Sequence, residues 1–247
     1  VVALAVPYLS VVVPAYNEEE RLPRSLEGLH AYYSAQPYDY DVIVVSDGSR
    51  DRTSEIVRDF AVTHPYFRLI DYHPNHGKGF AVRTGILAAT GDNILFCDAD
   101  LATPQEETAK LLAHIRHGAD VAIGSRPLRE SKLERHQPWY REYFGRTANL
   151  IIQLLAVRGI KDTQCGFKMF TRKAGHDIFS RCKLDEFGFD FESLMIAKDL
   201  GYRIDEVPIR WLDQPGSKVV LTRDGPRALR DLLRIRLAGR RRRTAPK

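Results

Sequence analysis

Five apolar runs, each ending in a polar cluster, recur through the first half of the chain. They are "YLSVVVPA" (8–15), "YDVIVVSD" (40–47), "FRLIDYH" (67–73), "NILFCDAD" (93–100) and "DVAIGSR" (120–126). Runs such as Val11 to Val13 and Val42 to Val45 are apolar at every position, which suits strands covered on both faces. Helical stretches start near Glu18, Asp51, Gly79 and Pro104, between the runs. This repetition predicts an α/β domain with a mostly parallel sheet and right-handed crossovers. A chain of 247 residues, 44% of them hydrophobic, can bury one sizeable core. A single domain over residues 1–223 with an extension over 224–247 is expected.

The second half is less regular. "YREYFGRTANLIIQLLAV" (140–157) reads as a helix with Leu150, Leu154 and Val157 on one face. "FDFESLMIAKDLG" (189–201) reads as another, stopped at Gly201. "YRIDEVPIRW" (202–211) is a late strand whose Pro208 favours an edge position. The closing helix places Leu229, Leu232, Leu233 and Leu237 on one stripe, with Arg227, Arg230, Arg234 and Arg241 largely opposite. Such a helix reads as lying in a membrane interface, with packing on the core as the alternative.

Charge divides the same way. From Arg227 onward nine Lys or Arg stand against one acid, so the tail carries +8 while the chain totals +5 and the body is left at −3. Attraction to an anionic surface therefore belongs to the tail, and Arg240 to Arg243 favour the membrane. No basic aromatic surface is legible, so nucleic acid is not an expected partner. Cys97, Cys165 and Cys182 are odd in number and widely spaced, which argues against a disulfide framework and for a reducing compartment. The opening "VVALAVPYLSVVVPAY" has no basic n-region and reads as a loop entering a strand. It starts at Val, which leaves room for a removed upstream segment.

Ligands of open parallel sheets gather at the carboxyl ends of the strands. Here those ends carry "PAYNEEE", "SDGSRDRT", "HPNHGKG", "CDAD" and "GSR", five clusters that point to one large polar ligand. No GxGxxG follows the first run, and Gly77-Lys78 continues with Gly79 instead of Ser or Thr, so both common nucleotide fingerprints are absent. What remains is a carboxylate pair, Asp98 and Asp100, suited to a hard cation, and a lysine between glycines suited to phosphate. Mg²⁺ or Mn²⁺ often bridges one or two carboxylates to a diphosphate. Alternation along an extended chain would aim both acids to one side, with Ala99 pointing away.

Pro14-Ala15-Tyr16-Asn17-Glu18, Asp47-Gly48-Ser49 and Asp98-Ala99-Asp100, at this spacing, resemble the family 2 glycosyltransferases of GT-A fold. "DTQCGFKMF" (162–170), with "GSR" and "FDFE", is similar to the dolichyl-phosphate and polyprenyl-phosphate glucosyl- and mannosyltransferase branch. The resemblance runs from about Leu9 to Arg223. It implies a Rossmann-like GT-A sheet and a nucleoside pocket lined by Pro14, Ala15, Tyr16, Asn17 and Glu18. Asp47, beside Gly48, would meet the base, although Ser46 stands where the family more often has a further acid. Lys78 would approach the diphosphate. Asp98 and Asp100 would hold the cation, joined by the amide of Asn149 or, failing that, Gln164.

The same resemblance places Arg126 and Arg141 on the lipid phosphate, with Lys168 as a further candidate. Gly145 stands where the family often has Ser, which leaves one phosphate contact missing or supplied by Arg146. Asp190 would orient sugar or acceptor, alongside Asp100, Arg126 and Arg141 as catalytic candidates. The implied reaction is inverting, metal-dependent transfer of a hexose from a nucleotide-sugar to a polyprenyl or dolichyl phosphate. Glucose from UDP-glucose is favoured, with mannose from GDP-mannose, or transfer to a saccharide hydroxyl, as alternatives. The enzyme would sit peripherally on the cytoplasmic face of a membrane.

Overall fold

The computed structural model describes residues 6–135, 157, 159–212 and 230. A seven-stranded sheet runs in the order β3-β2-β1-β4-β7-β5-β8. Its strands are β1 (Leu9–Ala15), β2 (Tyr40–Asp47), β3 (Phe67–Tyr72), β4 (Asn93–Cys97), β5 (Val121–Ser125), β7 (Phe167–Thr171) and β8 (Ile204–Pro208). A separate two-stranded ribbon pairs β6 (Lys132–Arg135) with β9 (Arg210–Leu212). The helices are α1 (Leu22–Tyr33), α2 (Thr53–Thr63), α3 (Lys78–Ala88), α4 (Thr108–Arg116), α5 (Arg172–Phe179) and α6 (Phe189–Asp199).

The all-apolar strands are explained by two cores. Val11, Val13, Val42 and Val44 face a layer containing Leu22, Leu26 and Leu29 of α1, Val57 of α2 and Leu111 of α4. Their neighbours Val12, Ile43 and Val45 face the opposite layer, containing Val82 and Ile86 of α3, Ile178 of α5 and Phe191 of α6. Period-two alternation thus feeds both faces of the sheet. Each fully buried Val or Ile side chain contributes about 1.5–3 kcal/mol.

The sheet is mostly parallel, as expected, with β7 inserted antiparallel to both β4 and β5, opposite Cys97 at one end and Val121 at the other. The polar head of "DTQCGFKMF" conceals this strand in the sequence. Three expectations are corrected. The fourth strand ends at Cys97, so Asp98 and Asp100 lie in a turn beyond it, completed by Leu101 at φ 49°. The first helix starts at Leu22, and Glu18 instead accepts from the backbone of Arg21 (3.1 Å) and Leu22 (2.8 Å) through its carbonyl. The 202–211 run breaks in two after Pro208, which sits on the edge strand β8 as its proline predicts. Pro104 opens one 3₁₀ turn (Gln105–Glu107) before α4. The 140–157 helix, Val157 apart, and the closing helix, Arg230 apart, lie outside the described residues.

Strand order reverses at β1, which has β2 on one side and β4 on the other. The crevice opens at the carboxyl ends of β1 and β4, where the sheet order turns from β2 and β3 on one side to β4 on the other. Behind β1 and β2, α3 lies close on the sheet. A Cβ on Gly85 would come within 2.3 Å of Val12 Cγ1 and 3.0 Å of Val45 Cγ2. Gly85→Ala is expected to destabilise the fold by about 1–3 kcal/mol through overpacking, read as a lowered Tm in a thermal melt.

Candidate active site

The turn after β4 brings its two carboxylates to one cleft. Cys97, Asp98, Asp100, Leu101, Ala102, Thr103, Gly166, Phe167 and Trp211 line an open space of about 230 Å³. Two contacts hold the turn in place: Ser25 Oγ donates to the carbonyl of Ala99 (2.6 Å), and the backbone N–H of Ala102 donates to Asp100 Oδ1 (3.0 Å). Asp98 donates its own N–H to the carbonyl of Gly166 (3.2 Å), which ties it to the entry of β7. That approach needs glycine, since a Cβ at 166 would stand 2.0 Å from Asp98 Oδ2.

The charges around the pair are interleaved. Lys78 Nζ lies 2.7 Å from Asp98 Oδ1, an ion pair at the edge of the cleft. Burial alone would pull the Lys78 ammonium down, but Asp98 and Asp190 overcome it and hold its pKa above the ordinary value. Burial, and then the Asp98 charge, push the Asp100 carboxyl up, against the opposing pull of the Ala102 N–H, Lys78 and Arg21. Arg21, paired to the Glu18 carboxylate, is the second cation near the acids.

A divalent cation fits this donor set. The two acids supply hard oxygen ligands, and their mutual repulsion, felt in the raised Asp100 carboxyl, is what a cation relieves. No cluster of three or more His, Cys, Asp or Glu occurs among the described residues, so the remaining ligands would be amide, water or substrate oxygens. Gln164 is half-buried two residues before Gly166 and donates its backbone N–H to Asp162 Oδ1 (3.3 Å). Asn149 lies outside the described residues.

The loops after β1 and β2 are joined by their own polar groups. Asn17, at φ 51°, accepts the Arg50 N–H on its Oδ1 (2.8 Å) and donates its own N–H to Ser49 Oγ (3.1 Å). Thr53 Oγ1 accepts the Glu18 N–H (2.7 Å). Pro14 and Ala15 are buried beneath this seam, and Tyr16 is half-buried. Asp47 is 3% exposed and takes the N–H of His76 (2.8 Å) on Oδ1, with the N–H of Gly77 (2.8 Å) and Nδ2 of Asn75 (2.7 Å) on Oδ2. Gly48 turns beneath the backbone of Pro74 and Asn75. Asp47 therefore clamps the loop carrying Lys78, a use that the expected contact with a base does not include.

Two expected residues are placed elsewhere. Lys168 is 1% exposed, paired with Asp190 and donating to the Cys165 carbonyl (2.7 Å), so it is not at the surface where an acceptor phosphate could reach it. Its position on β7 aims it inward at α6. Asp190 is buried with it, and burial pushes its carboxyl up, offset in part by Lys168 and Lys78. Asp190 thus stands behind Lys78, at 5% exposure. All three cysteines are free and buried; burial raises the Cys165 thiol to about 12.

Arg126 does reach the cleft side of β5. Its Nε and Nη2 form a fork on Asp162, at 2.7 and 3.0 Å, and its backbone N–H adds a third bond to the same carboxylate at 3.0 Å. Its guanidinium lies 5.5 Å from the centre of the Trp211 ring, which itself lines the carboxylate cleft. Burial would raise Asp162, and Arg126 overrides it and holds the carboxyl low. Breaking such a pair costs on the order of 3 kcal/mol. Arg141 is outside the described residues.

A metal-compatible acid pair, a lysine beside it and an arginine fork share one strand edge. The family model for glycosyl transferase family 2 matches residues 10–179, which span all of them. The chain belongs to glycosyl transferase family 2. Among similar proteins, this glycosyltransferase is 38% identical over 224 residues to a dolichyl-phosphate beta-glucosyltransferase of Drosophila melanogaster, covering 85% of this chain and 69% of that protein. It is 36% identical over 244 residues to the dolichyl-phosphate beta-glucosyltransferase of Homo sapiens, covering 93% and 75%. Its fold matches glucosyl-3-phosphoglycerate synthase from Mycobacterium tuberculosis, solved with Mn²⁺ and UDP-glucose, with a TM-score of 0.67, 19% identity, and coverage of 93% and 79%. The fold is GT-A, as the motifs imply.

Arg21, Asp162, Gly166 and Trp211 went unassigned in the sequence. Asp162 and Gly166 were visible within "DTQCGFKMF", whereas Arg21 and Trp211 stand in no motif of their own. Because folding raises the Asp100 pKa, ionising it opposes folding once pH passes the unfolded value near 4. Asp100→Asn of the metal-free glycosyltransferase is expected to melt higher than wild type at neutral pH. The gap should close as pH falls below about 4, and added Mn²⁺ should raise the Tm of wild type alone; thermal melts across pH check all three.

Proposed function

We propose that this glycosyltransferase moves glucose from UDP-glucose to a dolichyl or related polyprenyl phosphate, with inversion at the anomeric carbon. The observation that carries the reading is the Arg126 fork, held by Asp162 and set beside the Asp98–Asp100 cleft. Two guanidinium N–H groups are spent on Asp162, which leaves the other edge of the planar group for phosphate oxygens. The names of the similar eukaryotic enzymes support both glucose and a dolichyl phosphate acceptor.

A phosphate monoester has its second pKa near 6 and is largely dianionic at neutral pH, so it attacks without a base. One phosphate oxygen forms a bond to the anomeric carbon while the bond from that carbon to the β-phosphate oxygen of UDP breaks. No proton has to move. This suits a site in which the further acid Asp190 is buried and paired with Lys168. Arg126, with Arg141 as its expected partner, positions the nucleophile. Lys78 reaches the donor diphosphate from Asp98. The residues after β1 line the nucleoside pocket, with Asp47 fixing its floor. A Mg²⁺ or Mn²⁺ ion held by Asp98 and Asp100 would supply charge neutralisation for the departing UDP.

No described helix is long and apolar enough to cross a membrane. We assign contact with the lipid surface to the basic closing segment over 224–247, on the cytoplasmic leaflet, whose anionic lipids attract such segments. A donor panel of UDP-glucose and GDP-mannose, with Mg²⁺ or Mn²⁺ and a short polyprenyl phosphate, tests the reaction. Release of UDP only when UDP-glucose and the lipid phosphate are both present is expected. GDP release instead, or equal turnover with a water-soluble saccharide, would overturn the assignment. Deleting residues 226–247 should abolish sedimentation with anionic liposomes, and unchanged sedimentation would refute the docking role.

A further inference from the structure

The aim of Arg126 is decided by a residue on another strand. Asp162, which receives the Arg126 fork, stands in irregular chain ahead of β7, where no ladder holds it. Glu206 on β8 supplies the hold. Its Oε1 accepts Ser125 Oγ at 2.7 Å and the Asp162 N–H at 3.0 Å, and its Oε2 accepts the Lys161 N–H at 2.9 Å. One carboxylate thereby gathers two successive backbone N–H groups and a hydroxyl from the residue before Arg126. The next residue back along β8, Asp205, accepts from His114 at 2.9 Å and Arg203 at 3.1 Å instead, as alternation along a strand requires.

Glu206 itself is placed by the sheet, since β8 pairs in parallel with β5 and Glu206 stands opposite Ile123. The chain of contact runs from that ladder to Glu206, to the 161–162 backbone, to the Asp162 carboxylate and then to the guanidinium. We propose that Glu206 is a positioning residue for the acceptor phosphate, acting through Asp162 to point the free edge of Arg126 at the cleft. The inference rests on reading Arg126 as the ligand of that phosphate.

Glu206→Gln keeps the size of the side chain and sets an amide N–H₂ against at least one of three donors. In the full chain, assayed with dolichyl phosphate and UDP-glucose, it should raise the KM for dolichyl phosphate about tenfold, the scale of a small misplacement in a reacting group. The KM for UDP-glucose and the Tm should stay close to wild type. Arg126→Lys should raise the same KM alone, and adding Glu206→Gln to it should change nothing further. A lowered Tm with both KM values intact would make Glu206 a brace of the sheet edge only and overturn the proposal. An equal effect of Glu206→Gln in the Arg126→Lys background would overturn it too. If Arg126→Lys left the acceptor KM unchanged, the reading of Arg126 would fall and the proposal with it. Should Glu206→Gln not fold, Ser125→Ala removes one of the three donors and should shift the acceptor KM in the same direction by less. No shift in that variant counts against Glu206.

Discussion

Two carboxylates held one residue apart at the mouth of a crevice repel each other, and much of the surrounding structure answers that repulsion. Asp98 is faced by Lys78, Lys78 is backed by Asp190, and Asp190 is paired in turn with Lys168. Arg21, held by Glu18, approaches from the other side. Acids thus outnumber bases, with Asp98, Asp100, Asp190 and Glu18 set against Lys78, Lys168 and Arg21. Burial, and then the neighbouring Asp98 charge, raise the proton affinity of Asp100. A site poised in this way gains from a dication, and its half-buried lysine is ready for an anionic diphosphate.

The loops that surround the pair are fixed before any ligand arrives. Asn17, Ser49 and Thr53 join the ends of β1 and β2, and Asp47 collects three donors from the loop ahead of α3. Glu192 does the same on the far side, taking the N–H groups of Lys183 (3.0 Å) and Leu184 (2.8 Å). Buried carboxylates that gather backbone N–H groups make each loop rigid at the cost of burying a charge. Rigid loops spare the reaction much of the ordering that would otherwise oppose it.

Legibility followed the range of the interaction. The β-branched runs announced the strands, because a strand covered on both faces must be apolar at every position. The strand-end clusters announced the crevice, because parallel strands put their carboxyl ends on one edge. β7 stayed hidden, since "FKMFT" is short and sits behind a polar motif that reads as a loop. Lys168 differs from its expected place for a related reason. A lysine in a polar motif reads as exposed, but its place on a central antiparallel strand turns it into the interior, where only Asp190 makes its charge tolerable. The clamp that Asp47 makes is not legible from an Asp-Gly pair, because its donors stand in a loop 28 to 30 residues away.

From the sequence alone came the α/β class, the crevice edge, the acid pair and the arginine at the end of β5. Each rests on local pattern, either period-two burial or residue types placed at strand ends. Tertiary structure decided which of those groups face the cleft and which support it from behind. Asp98 and Asp100 converge through a turn closed by Leu101 and pressed against Gly166, not through strand alternation. Arg126 is aimed by Asp162, and Asp162 by Glu206, across distances in sequence of 36 and 44 residues. Those partners are chosen by the pairing of β8 with β5 and the insertion of β7, and no periodicity along the chain encodes which strands become neighbours.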